Sequence, residues 1–206
     1  MAILALDVDG VLLDPNRGGA GHWSIELNTQ FGIDRNQIRE TFFEPKWKQI
    51  VTGQASVEDE LQASLKLLGT TADVESVLTC WFEADYIPFE ATFQLACQAV
   101  SAGHQVVLVT NQEHRRAHYL YQRINESIPV GQIFYSADIG FEKSDRQFFE
   151  VVTAKLGLSP DQRSSVVFVD DTYENIEVAR SFGWRSVHAT ASESWHPEVK
   201  KLLALR

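Results

Sequence analysis

Ala2-Ile3-Leu4-Ala5-Leu6-Asp7-Val8-Asp9-Gly10-Val11 is an apolar run that ends in acid. Its first five residues show no polar alternation, which is the pattern of a strand covered on both faces of a parallel sheet. Ligands of open α/β sheets bind beyond the C-terminal ends of the strands, where Asp7 and Asp9 fall. Continued extension points both carboxylates to one side. Two like charges that close repel, so one pKa is expected to rise unless a cation sits between them. The pair calls for a metal, a proton-transfer role, or both.

The same pattern recurs downstream. Val106-Val107-Leu108-Val109 runs into Thr110-Asn111, a short strand within 130–135 ends near Ser136, Val166-Val167-Phe168-Val169 runs into Asp170-Asp171, and Ser186-Val187-His188 makes a short last strand. Amphipathic helical patterns cover about 90–102, 113–125, 145–156 and 173–182, with Gly103, Gly157 and Gly183 where helices end. This alternation indicates an α/β fold, a Rossmann-like doubly wound parallel sheet.

The stretch from Pro15 to Pro88 has no strand-like run. Asp34 opens a helix carrying Ile38, Phe42 and Phe43; Ser56-Val57-Glu58-Asp59 forms a helix-start box before Leu61, Leu65 and Leu68; Asp73 starts a helix with Val74, Val77, Leu78, Trp81 and Phe82. The expected organisation is a core of 1–14 and 90–206 with a small helical block, 15–89, inserted after the first strand. Gly18-Gly19-Ala20-Gly21 reads as a flexible link into that block. Trp47 and Trp81 read as its packing, while His22 and Trp23, beside the link, are placed either in the packing or facing the cleft.

Composition bounds the partners. The chain has 206 residues, 44% hydrophobic and 22% charged, with a formal net charge of −10. That leaves no basic surplus to neutralise nucleic acid or an anionic membrane, yet it permits a phosphorylated small molecule in a local cationic pocket. Cys80 and Cys97 sit in apolar helical stretches and read as buried free thiols. No apolar run approaches the ~20 residues of a membrane span, and no signal-like segment precedes the first strand, so a cytoplasmic setting is expected. Oligomeric state is left open. His114 and His118, four apart on a helix, read as a packed or solvated face rather than a zinc pair, Asp14 as a turn residue, and Trp195-His196-Pro197 as the lead into the last helix.

Four polar positions fall at or after strand ends: Asp7/Asp9, Thr110/Asn111, Lys143 and Asp170/Asp171. In a parallel sheet they converge on one edge. The carboxylates offer a hard oxygen site suited to Mg²⁺. Thr110 offers a hydroxyl and loop N–H groups to a phosphate oxygen, and Lys143 is a point charge for both a phosphate and a carboxylate.

Asp7-Val8-Asp9-Gly10-Val11-Leu12, Val109-Thr110-Asn111, Lys143 and Val169-Asp170-Asp171, followed by Asn175-Ile176, together resemble the haloacid dehalogenase superfamily. The likeness covers the sheet portion, and a helical block after the first motif resembles one cap type of that superfamily. The runs from Ser136 to Lys143 and from Phe168 to Ile176 look like the subgroup of glucose-1-phosphate phosphatase and the epoxide hydrolase phosphatase domain. The resemblance implies Asp7 as nucleophile through an aspartyl-phosphate. It implies Asp9 as the acid and then the base, its backbone carbonyl binding Mg²⁺. Thr110, Asn111 and Lys143 would hold the phosphoryl group. Asp7, Asp170 and Asp171 would complete the Mg²⁺ site, Asp171 directly and Asp170 through water or by hydrogen bonding.

The implied activity is Mg²⁺-dependent hydrolysis of a small phosphate ester, with a sugar phosphate the leading candidate. An alkoxide must be protonated as it leaves and a halide need not be, so Asp9 favours phosphate chemistry over 2-haloacid dehalogenation. The same motifs would also serve a phosphomutase, and the same fold a non-catalytic binding module.

Overall fold

The computed structural model describes residues 1–14, 22–190 and 193–205; the Gly18–Gly21 link and the side chain of His22 lie outside them. A five-stranded, wholly parallel sheet is built from β1 (Ile3–Leu6), β2 (Gln105–Thr110), β3 (Gln132–Tyr135), β4 (Val166–Asp170) and β5 (Arg185–His188), in the order β3-β2-β1-β4-β5. β1 is the central strand. Ile3 pairs in register with Gln105 on one side and Val166 on the other, so β1, β2 and β4 start level, while β2 and β4 run on past Leu6 to Thr110 and Asp170. The chain winds one way from β1 to β3 and then crosses to β4, which puts the switch point between β1 and β4.

The unbroken apolar run of β1 now has a reason. Leu4 and Leu6 enter one core with α6 (Glu90–Ser101), α7 (His114–Asn125) and α11 (His196–Leu203). Ile3 and Ala5 enter the opposite core with α9 (Arg146–Lys155) and α10 (Tyr173–Phe182). Each face of the strand is covered, so neither can be polar. The short turn at Glu193–Trp195 leads into α11, and His196 Nε2 lies 3.2 Å from Thr92 Oγ1 of α6, which ties the C-terminal helix down.

Residues 22–85 form the helical insertion: α1 (His22–Phe31), α2 (Arg35–Ile38), α3 (Glu44–Val51), α4 (Val57–Leu67) and α5 (Val74–Asp85). The expected start signals are all used. Asp34 accepts from the N–H groups of Asn36 and Gln37, Ser56 from Asp59, and Asp73 from Ser76. One segment departs from the regular helix that its spacing predicts. Arg39–Phe43 is a wide, π-type turn, and it lets the neighbours Phe42 and Phe43 both meet Trp81, at 6.5 and 5.3 Å between ring centroids. Trp23, Trp47 and Phe82 join this aromatic cluster, so Trp23 is in the packing rather than in a cleft. Cys80 is buried, whereas Cys97 is only half-buried and donates to the Ser127 carbonyl; both are free thiols. No helix among the described residues is long and apolar enough to cross a membrane.

Candidate active site

Asp7 is the first residue past β1. Its N–H donates to the Val169 carbonyl at 2.9 Å and pins it beside β4. The chain then turns away. The N–H groups of Val11, Leu12 and Leu13 all converge on the Val8 carbonyl, and Gly10 takes φ +82°. A Cβ at Gly10 would lie 2.2 Å from Asp171 Oδ2, so glycine answers both the positive φ and the close approach of Asp171. Because the strand ends before it, Asp9 does not follow Asp7 to the same partner, contrary to what continued extension predicts.

Lys143 is only 2% exposed, and its Nζ lies 2.6 Å from Asp7 Oδ2 and 2.7 Å from Asp170 Oδ2. It sits in the loop after β3 and the one-turn helix α8 (Ser136–Ile139). Its backbone N–H donates to Asn111 Oδ1 at 2.9 Å, so the Asn111 amide oxygen holds the lysine loop. Thr110 is buried at the end of β2. Asp170 is fully buried and also accepts from the Thr172 N–H and the Asn175 amide. Carboxylate oxygens of Asp7, Asp170 and Asp171 lie within 4.8 Å of one another.

The electrostatics follow from burial. Burial pushes the Asp7 carboxyl up to about 8 against the pull of Lys143, with Asp170 adding to the rise. Burial and Asp170 likewise raise Asp171. Burial disfavours the Lys143 ammonium, but Asp7 and Asp170 outweigh it, so its pKa is raised and it stays charged. If all three carboxylates ionise around that one ammonium, two negative charges are left over. A hard divalent cation fits this donor set, which is all oxygen and electron-rich.

Asp9 faces a different cation. Arg116 Nη1 and Nη2 donate to its two oxygens at 2.7 and 2.8 Å, and Gln112 Nε2 donates at 2.6 Å. Burial acts to raise its pKa, but the charge and hydrogen bonds of Arg116 prevail, so the Asp9 carboxyl is lowered. The two aspartates are thus split as their spacing suggests, but mainly through burial and separate cations. Their mutual repulsion is a minor contribution.

Arg116 and Gln112 are functional candidates that the sequence reading missed. The available signal was the unbroken polar run Asn111-Gln112-Glu113-His114-Arg115-Arg116 straight after β2. Glu113 is buried and caps α7 by accepting the N–H groups of Arg115 and Arg116, which fixes where each side chain departs. Arg115 reaches the insertion, with Nη1 2.8 Å from Glu58 and Nη2 2.6 Å from Glu75. His114 meets Tyr135 and His118 meets Gln122, so the two histidines share no ligand position. The Asp14 N–H donates to the Ile87 carbonyl, which joins the end of the first segment to the chain leaving the insertion. At Gly53, φ +71°, a Cβ would lie 2.4 Å from the Ala137 carbonyl, so the insertion abuts α8 close to the lysine loop.

Known structures share this architecture. A HAD family enzyme of Bacteroides thetaiotaomicron, solved with magnesium and inorganic phosphate, superposes with a TM-score of 0.73 at 17% identity over 95% of this chain and 97% of that one. A predicted HAD-like hydrolase from Porphyromonas gingivalis gives 0.72 at 18% identity, covering 100% and 99%. An L-2-haloacid dehalogenase gives 0.65 at 16% identity, covering 97% and 99%. No curated protein matches the chain in sequence. The family model of the haloacid dehalogenase-like hydrolases matches residues 1–183, which takes in every strand-end acid and the buried lysine, and the chain belongs to that family.

Proposed function

We propose that the protein is a Mg²⁺-dependent phosphomonoester hydrolase acting through Asp7 on a small phosphate, with a sugar phosphate the leading class and the cytoplasm the setting its free thiols suit. The observation that carries this reading is the cluster of Asp7, Asp170 and Asp171 gathered around one buried ammonium. Expulsion of a halide gives no reason to collect that much negative charge. A phosphoryl dianion held by a divalent cation does.

In this reading Asp7, Asp170, Asp171 and the Asp9 backbone carbonyl would hold the ion, which when bound supplies positive charge for the transferring phosphoryl group. Lys143 keeps Asp7 placed and offers the same charge to phosphate. A carboxylate oxygen of Asp7 forms a bond to phosphorus while the bond to the ester oxygen breaks, and Asp9, entering the step in its protonated form, gives that oxygen its proton. Asp9 then takes a proton from water, which attacks phosphorus and releases Asp7 and inorganic phosphate. The loop of Thr110 and Asn111 is the remaining phosphate-facing element. The insertion acts as a cap, and its inner face selects the leaving group.

The test is phosphate release across a broad set of phosphomonoesters with Mg²⁺, using Asp7→Asn as the control. Turnover that is lost in the variant and in excess EDTA supports the reading. One observation favours a second reading: three N–H donors hold Asp9 as an anion, and halide departure needs no proton. Halide release from 2-haloacids without phosphate release would decide for dehalogenation.

A further inference from the structure

Arg116 is a cation with two claimants. Its side chain is 5% exposed, and its two terminal nitrogens form the fork on Asp9. Nη2 also lies 3.5 Å from Asp85 Oδ2, and Asp85 is the last residue of α5 and so belongs to the insertion. Its buried Nε–H has no hydrogen-bond partner among the described residues. Among the described residues these two carboxylates are the ion-pair partners of the head group, while its backbone is fixed in the first turn of α7 by Glu113. Asp85 in turn accepts from Trp81 Nε1 of the aromatic cluster, so its position is that of the insertion as a body.

We propose that Arg116 is the positioning residue of the acid–base carboxylate and that Asp85 makes this positioning depend on where the insertion sits. The inference rests on the acid–base role given to Asp9 above. With the insertion as it is here, Arg116 engages both oxygens of Asp9. Movement of α5 toward α7 shortens the Asp85 contact, draws the guanidinium off one oxygen and frees that oxygen to face the leaving group. Movement away returns Arg116 to Asp9. The geometry thereby links the proton-transfer group to closure over substrate, without a contact between the insertion and Asp9 itself.

The test combines kinetics on p-nitrophenyl phosphate with unfolding. Arg116→Met is expected to lower kcat about 10- to 100-fold, less than loss of the whole acid–base contribution of about 10²–10⁴-fold, while KM changes less than about threefold. Arg116→Lys, which keeps the charge and loses the fork, is expected to recover part of kcat. Asp85→Asn removes the competing claim and is expected to lower kcat a few-fold, about three to ten, with KM again held. A purely structural arginine would instead lower the Tm and leave kcat per folded molecule unchanged. If Arg116→Met does not fold, Arg116→Lys with wild-type kcat overturns the proposal. A double-mutant cycle of Asp9→Asn and Arg116→Lys, read as Tm without Mg²⁺, needs no turnover. Non-additive shifts support the pairing even if the wild type hydrolyses no phosphate ester, which would sink the phosphatase reading alone. Additive shifts overturn the present inference whatever the activity.

Discussion

Two ion-pair regions of the chain obey different rules. At the strand ends, Lys143 is 2% exposed and joins Asp7 and Asp170, which are 8% and 0% exposed at their side chains. At the seam with the insertion, Arg115 is 37% exposed and its partners Glu58 and Glu75 are 41% and 63% exposed. In the first set Asp7 and Asp170 are pinned to the sheet by main-chain bonds, and the Lys143 loop is tied to Asn111. The second spans two bodies, each with its own core, and water screens it. Chemistry that needs placement within fractions of an ångström belongs at the first, and motion belongs at the second.

The contrast is broken most directly at Asp7. Asp7→Asn is expected to cut turnover by about a thousandfold or more, since it removes the proposed nucleophile, while the fold persists. Steady-state rates and a far-ultraviolet spectrum check both halves. Lys143→Met comes next. Removing one member of a buried ion cluster costs about 3–5 kcal/mol, because the remaining charges are left uncompensated. Urea unfolding without Mg²⁺ should show a loss of that size, and a loss under about 1 kcal/mol would contradict a dry cluster.

The pH dependence sharpens the same point. Burial lifts Asp7 from the usual 3.8 to about 8, so between those values the folded, ion-free chain binds more protons than the unfolded one. Stability contributed by this group is therefore present at low pH and is lost as pH rises through about 8. A divalent cation must displace that proton, so Mg²⁺ is expected to raise the Tm more at about pH 8 than at about pH 6. Equal Tm shifts at the two pH values would rule out Asp7 as a ligand. The smallest effect is expected at the seam. Arg115→Gln should change stability by less than about 1 kcal/mol, because its pairs are solvent-exposed. Its mark should be a raised KM with little change in kcat, measured on whichever ester the screen returns.

Much of this was legible in the chain because burial on two faces leaves a trace in sequence. β1 is apolar throughout since Leu4 and Leu6 serve one core and Ile3 and Ala5 the other. Asp7, Asp170 and Lys143 could be found because each follows such a strand or its loop. Arg116 could not, since an arginine in the run Asn111-Gln112-Glu113-His114-Arg115-Arg116 looks the same whether it is solvated or buried. The wide turn at Arg39–Phe43 was also hidden, because the ring it packs on, Trp81, is distant in sequence.

The sequence by itself determined the parallel sheet, the helical insertion and the acids and lysine at the strand ends, since local periodicity and abrupt polarity at a strand terminus are written in neighbouring residues. Only the tertiary structure decided which cation each aspartate receives. Asp7 and Asp9 are two residues apart, yet Lys143 claims one and Arg116 the other. That division depends on the turn at Gly10 and on which loops meet at the sheet edge, and such long-range pairings leave no local pattern to read.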